Sequence, residues 1–217
     1  MVNKSEIEKK VAEFLLQIKA IKLQPNNPFT WASGWRSPIY CDNRITLSYP
    51  AIRTYIRQNL ANLIQDEYGS VGLIAGVATA GIPQGVLVAQ ELGLPFAYVR
   101  SKPKEHGTAS LIEGEIFQGQ RVVVVEDLIS TGKSSLQAVQ ALREAGCDVA
   151  GLVAIFSYGF DSAAENFKEA KCRFNTLSNY NALIEYASHN SFISNDDLEL
   201  LKNWRENPSE WDNVLKA

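Results

Sequence analysis

The sequence is short of several things, and each absence narrows what the chain can be. No apolar run is long enough to cross a bilayer, which takes about 20 apolar residues in a row. No secretory leader pattern opens it, because Lys4, Glu6, Glu8, Lys9 and Lys10 interrupt the apolar residues there. Cysteine is scarce: Cys41, Cys147 and Cys172 are odd in number and lack metal-type spacing. They read as free thiols filling small core positions in a reducing cytoplasm. Positive charge is not in excess, since 21 Lys and Arg against 24 Asp and Glu leave a net charge of −3. That balance argues against a protein that grips nucleic acid through its overall field. Internal repeats, low-complexity tracts and Pro/Gly-rich linkers are missing as well. What remains, 217 residues of ordinary apolar content, suits one well-buried domain with at most a small appendage.

The patterns along the chain give that domain a class. Ile7, Val11, Phe14, Leu15 and Ile18 form one stripe of a helix over Ser5–Ile21, with Ser5 as cap and Glu8 completing a capping box. From Phe29 to Ile45 the chain is aromatic and turn-rich, which predicts short strands around Ser33-Gly34. Pro50 suits the start of a helix whose buried face is Ile52, Ile56, Leu60, Leu63 and Ile64. Strands at Val71–Val77, Phe96–Val99, Arg121–Val125 and Val149–Phe156 then alternate with helices at Ile82–Glu91 and Ser134–Ala145. Such alternation implies right-handed crossovers and an α/β fold with a central, mainly parallel sheet flanked by helices. Residues 1–45 read as a small N-terminal hood over this core, within a single domain spanning 1–217. Beyond Asp161 the pattern is mostly helical, with Trp204 and Trp211 as anchors.

Chemistry concentrates after the four valines Val122–Val125. An unbroken β-branched run bounded by polar residues predicts a buried parallel strand. Glu126 and Asp127 stand at its carboxyl end, where open α/β sheets bind ligands. Leu128-Ile129-Ser130-Thr131-Gly132-Lys133-Ser134 follows, offering hydroxyls and amides at a helix start that favours an anion. It is not a Walker A loop, because the long Gly-rich lead-in is missing. An acid pair beside a phosphate cradle points to a sugar phosphate. Neighbouring residues of a strand point to opposite faces, so a shared acid/base site is the least natural use of the pair. If the backbone turns there, both carboxylates reach vicinal hydroxyls. The loop Gly76–Pro83 could bring amides close to an anion, or could simply make a tight turn for packing. Arg100, Lys102, Lys104 and His106 recur at every second residue, a comb of cations on extended backbone that suits a pyrophosphate. A loop of this composition could close over the site.

These residues together resemble a known family. Val122–Ser134 is similar to the 5-phosphoribosyl-1-pyrophosphate (PRPP) motif of type I phosphoribosyltransferases. Phe29-Thr30, Ser33-Gly34 and Ser37-Pro38-Ile39-Tyr40-Cys41-Asp42-Asn43-Arg44 resemble the base-binding segment of the orotate phosphoribosyltransferases, and Arg100 to Gly107 their catalytic loop. The resemblance implies the type I phosphoribosyltransferase fold. It implies that Glu126 and Asp127 hold the ribose hydroxyls, that Ser130, Thr131, Gly132, Lys133 and Ser134 wrap the 5-phosphate, and that Leu128 and Ile129 belong to the same PRPP-binding stretch. Ser130 would also lie near orotate. Arg100, Lys104 and His106 would meet the pyrophosphate and stabilise its departure. Mg²⁺ on substrate oxygens is implied, with no dedicated protein metal site. So is a homodimer in which the loop enters the neighbouring subunit's site. Family cations are replaced at Ala32, at Thr79-Ala80 and at Ser157. The rival readings are transfer to a purine base and a non-catalytic PRPP-sensing regulator. Neither nucleic acid nor membrane is implied as a partner.

Overall fold

The structure, a computed structural model, describes residues 3–31, 33–102, 111–209 and 211. The chain enters through α1 (Lys4–Gln17), whose cap lies two residues earlier than its pattern predicts. Asn3 is the cap, its side chain accepting from the Ser5 amide at 3.2 Å, so the Ser5–Glu8 capping box does not form. Asn and Ser cap equally well, and the earlier residue takes the position. The helix ends at Gln17, and Ile21 instead opens β1 (Ile21–Leu23).

The hood follows. β2 (Phe29–Thr30) and β3 (Arg36–Ser37) pair antiparallel around the turn at Gly34, and β4 (Ile39–Cys41) returns antiparallel to β1. A 3₁₀ helix, Asn43–Ser48, closes this segment with Asp42 as its cap. α2 (Pro50–Tyr68) begins on Pro50, whose missing N–H would be unsatisfied there anyway. Strand and helix then alternate through β5 (Leu73–Val77), α3 (Gly81–Leu92), β6 (Phe96–Val99), β7 (Ile112–Glu113) and β8 (Arg121–Ile129). They continue through α4 (Lys133–Glu144), β9 (Asp148–Ser157), α5 (Asp161–Glu169), β10 (Phe174–Asn179), α6 (Tyr180–His189) and α7 (Asn195–Glu206).

Six of these strands form one sheet in the order β10-β9-β8-β5-β6-β7. Every pairing is parallel except β6 with β7. The period-two alternation of the strands sorts the core into two layers. Val123, Val125, Val153 and Ile155 pack toward α1 and α2, against Leu15, Ile56, Leu60 and Ile64. Val122, Val124, Leu152 and Ala154 pack toward α4 and α5, against Val139, Leu142 and Phe167. Burial on both faces is why the valine run shows no polar alternation.

Two elements differ from the pattern. β8 runs to Ile129 instead of stopping at Val125, and β10 is a strand inside the stretch read as helical. Phe174-Asn175-Thr176-Leu177-Ser178-Asn179 has little apolar content; its strand geometry comes from the ladder with β9, Phe174 opposite Leu152 through Asn179 opposite Ser157. Among the described residues, no helix is long and apolar enough to cross a membrane.

The C-terminal helices fasten the hood. Trp204 of α7 is fully buried, donates its indole N–H to the Arg36 carbonyl at 3.1 Å, and meets the rings of Trp31, Phe160 and Tyr180 at 5.5–5.6 Å. Asn26 reaches the same helix through Asp197 at 3.0 Å. Trp211 is buried too. Trp204→Ala should therefore cost about 3–5 kcal/mol in a urea unfolding titration, as large aromatic truncations in a closed core do. A loss below about 1 kcal/mol would show that the hood does not depend on α7.

Candidate active site

The site is built where β8 outruns its neighbour. β5 pairs with β8 only as far as Gly76 opposite Val125, whereas β9 continues to Ser157 opposite Ile129. Glu126–Ile129 are thus held extended by one partner, and the backbone does not turn after Val125 as the sequence predicts. Alternation sends Glu126 toward α4, where Ser135 donates its hydroxyl to Oε2 at 3.4 Å. Asp127 lies toward the hood, in the field of Arg44 and Asp42.

The two acids still meet. The Asp127 amide donates to Glu126 Oε1 at 3.0 Å. Burial raises Glu126 well above the ordinary carboxylate range, and the neighbouring Asp127 charge raises it further. Burial raises Asp127 as well. A carboxyl with raised proton affinity can donate to one hydroxyl while its neighbour accepts from another. At the cleft mouth Arg44 forks onto Asp42, at 2.7 and 2.9 Å, and holds that carboxyl below its usual range.

The acids form the floor of a cleft of about 490 Å³ whose walls are Ala78–Ala80, Ser130–Ser135 and Gln137. Two helices begin on it. α3 starts after Ala80 and α4 after Gly132, and neither has a side-chain cap. Their first-turn amides and positive dipole ends are left for an anion. Glycine is needed at both starts. A Cβ on Gly81 would lie 2.5 Å from the Val125 carbonyl oxygen, so α3 packs directly on the acid strand. Gly132 has φ +79° and a Cβ there would stand 2.6 Å from the Phe167 ring. In the Gly76–Pro83 loop, Gly81 packs tightly on the acid strand and Ala78–Ala80 form a wall of the cleft. Asn166 steadies the opposite wall by donating to the Thr131 carbonyl at 3.0 Å. Two uncapped helix ends on either side of a buried acid pair suit a polyol with separated anionic groups.

Most of the residues singled out in the sequence come together here: Glu126, Asp127, Leu128, Ser130, Thr131, Gly132, Lys133 and Ser134 all line the cleft. Ile129 does not. It is fully buried against the α4–α5 layer, because the strand continues through it. Arg100 sits just past the end of β6, its guanidinium 3.3 Å from Glu113 on β7. Lys104 and His106, like Ala32, lie outside the described residues. Asn43 and Ser135 were missed. Ser135 could have been found as a first-turn hydroxyl of the helix after the cradle; Asn43, in the base-segment motif, carries no local sign of its partner. Among the described residues, no group of three or more His, Cys, Asp and Glu could hold a metal ion. A second groove of about 350 Å³ lies between α1, α2 and β10, but its charged residues Lys4, Asp66 and Glu67 are all exposed.

Comparison with known proteins agrees with this geometry. The phosphoribosyl transferase domain family matches residues 46–188. An orotate phosphoribosyltransferase from Phocaeicola vulgatus is 57% identical over 206 residues, covering 95% of this chain and 97% of that one. The crystal structure of orotate phosphoribosyltransferase from Aeropyrum pernix is similar at TM-score 0.74 and 28% identity, covering 85% of this chain and 99% of that one. Leishmania donovani UMP synthase is similar at TM-score 0.77 and 26% identity over 91% of this chain, which spans only 42% of that longer protein.

The raised Glu126 carboxyl has a cost that can be measured. The unfolded carboxyl of Glu126 gives up its proton near its ordinary value of 4.5, whereas the folded one retains it to higher pH. The folded state then binds more protons than the unfolded state, so stability falls as pH rises above that value. Glu126→Gln keeps an acceptor for the Asp127 amide and removes the titration. In metal-free buffer, its unfolding free energy from urea titrations should gain on the wild type as pH is raised from 4.5, at up to about 1.4 kcal/mol per pH unit. A free-energy difference that stays flat with pH would contradict the raised carboxyl.

Proposed function

The chain belongs to the orotate phosphoribosyltransferase family, and from that premise we propose that it transfers ribose 5-phosphate from PRPP to orotate. The products are orotidine 5-phosphate and pyrophosphate, a step of de novo pyrimidine (UMP) biosynthesis. The observation that carries this reading is the single cleft in which an acid pair lies between two uncapped helix starts.

Asp127 and Glu126 hold the ribose 2- and 3-hydroxyls. The loop Ser130-Thr131-Gly132-Lys133-Ser134 takes the 5-phosphate at the start of α4, with Ser130 also beside orotate. The uncapped start of α3 faces the pyrophosphate side, where Arg100, Lys104 and His106 add positive charge. Substitution at the anomeric carbon passes through an oxocarbenium-like state, as in glycoside chemistry, so no protein nucleophile is needed. Catalysis is positioning plus charge: the phosphate loop fixes the ribose, and Lys104, Arg100 and His106 stabilise the departing pyrophosphate. The donor set fits Mg²⁺, because hard carboxylate oxygens face a cleft open to substrate oxygens. Glu126 and Asp127 would lie beside such an ion, which would supply neutralising charge for the pyrophosphate. No cation stands at Ala80, and Ser157 spends its hydroxyl accepting from the Gly159 amide at 3.0 Å. Orotate is therefore gripped without the side-chain charges other members place there.

The working form is a homodimer in the cytoplasm, each loop serving the neighbouring site, and the whole chain acts as one domain with residues 1–45 as the hood. Incubation with PRPP, Mg²⁺ and a panel of bases tests the assignment: orotate should be consumed and purines left untouched. PRPP binding without turnover of any base would contradict it. Lys104→Ala should lower kcat on the order of 10²–10³-fold, since its charge acts chiefly on the transition state. A kcat close to wild type would remove the loop from the chemistry.

A further inference from the structure

Three buried polar side chains that the reaction leaves unused lie end to end between the hood and the acid strand. Gln84, in the first turn of α3, donates Nε2 to Thr46 Oγ1 at 3.2 Å. Thr46 donates its hydroxyl to the Asn43 carbonyl at 2.6 Å. Asn43 Nδ2 donates to the main-chain carbonyl of Asp127 at 2.7 Å, and its Oδ1 accepts from the Cys41 thiol at 3.3 Å. Asn43, Thr46 and Gln84 are all buried. The chain of bonds thus joins three elements: the start of α3, the 3₁₀ helix of the hood, and β8.

Burying such groups is costly, and apolar side chains would close the same interface without that cost. What a directional chain adds is a fixed distance and register between the parts it joins. The need is local. β8 loses β5 as a partner after Val125, and a buried strand carbonyl requires a donor from somewhere. At Asp127 that donor is a side chain of the hood. The bond therefore joins the segment proposed to carry the base to the residue proposed to carry the ribose.

We infer that Asn43 is a positioning residue: its bond to the Asp127 carbonyl sets the separation between the base-binding hood and the ribose-binding acids, so that the base meets the anomeric carbon in line. This rests on the transferase reading above. Asn43 need touch neither substrate, because it acts through the main chain of Asp127. Its loss should therefore appear in the chemical step more than in the binding of either substrate alone. A misplacement of about 1 Å between reacting groups costs on the order of 10²-fold in rate.

Asn43→Ala removes the donor. Its kcat with orotate and PRPP should fall roughly 10- to 100-fold, while the Kd for PRPP, titrated without orotate, moves by no more than about threefold. Thr46→Val cuts the next bond while keeping the shape, and should lower kcat by roughly 3- to 10-fold with the same unchanged Kd. The second variant decides the matter should the first fail to fold. If the folded variant keeps kcat within about twofold of wild type, whatever its Tm, the bond is merely structural and the inference is wrong. A loss that falls on the PRPP Kd with kcat unchanged overturns it equally. Failure of the parent reading looks different, because wild-type protein would then turn over no orotate at all.

Discussion

One strand longer than its neighbour organises this protein. β8 is paired on both sides through Val125 and on one side from Glu126 to Ile129. That overhang forms the cleft floor, presents two acids where the sheet has run out, and leaves room for α3 and α4 to begin against it. Gly81 is required because α3 starts on top of the overhang, and the hood reaches it through Asn43. Were β5 two residues longer, the same sequence of acids and hydroxyls would be a covered piece of sheet.

The acid pair shows what the site demands of the fold. Two buried carboxyls in contact oppose folding wherever they must ionise, and an apolar or amide pair would pack there at lower cost. Under the proposed reading their retention has a use: two buried carboxyls with raised proton affinity would offer both donor and acceptor to a diol. Stability is given up at the place where binding is gained, a usual feature of functional sites. Attachments elsewhere offset it, with Trp204 and its aromatic neighbours fixing the hood to α7 from the far side.

Much of this was legible in the sequence, for identifiable reasons. The valine strand, the Pro50 helix start and the glycine-terminated helix before Gly93 are written in local periodicity and turn chemistry, which depend on nothing distant. The cradle was legible because hydroxyl and glycine types follow an acid pair within a few residues. Length and partnership were not. β8 extends to Ile129 because β9 continues beside it, and β10 is a strand because β9 offers an edge, although its own residues are mostly polar. Asn43 and Asp127 are 84 residues apart and Trp204 and Arg36 are 168, so no window of the sequence contains either bond. Ile129 shows the opposite error, where membership in a contiguous motif stood in for geometry that buries its side chain.

The central claim is that the overhanging acids bind sugar hydroxyls while the helix start binds phosphate. Calorimetric titration with ribose 5-phosphate and with its 2,3-dideoxy analogue separates these two contributions directly. Loss of two hydrogen bonds to the buried carboxyls should weaken the analogue by at least about 10-fold, with the phosphate still holding it in the cleft. Equal affinities would contradict the account, because the acids would then be doing something other than holding the ribose.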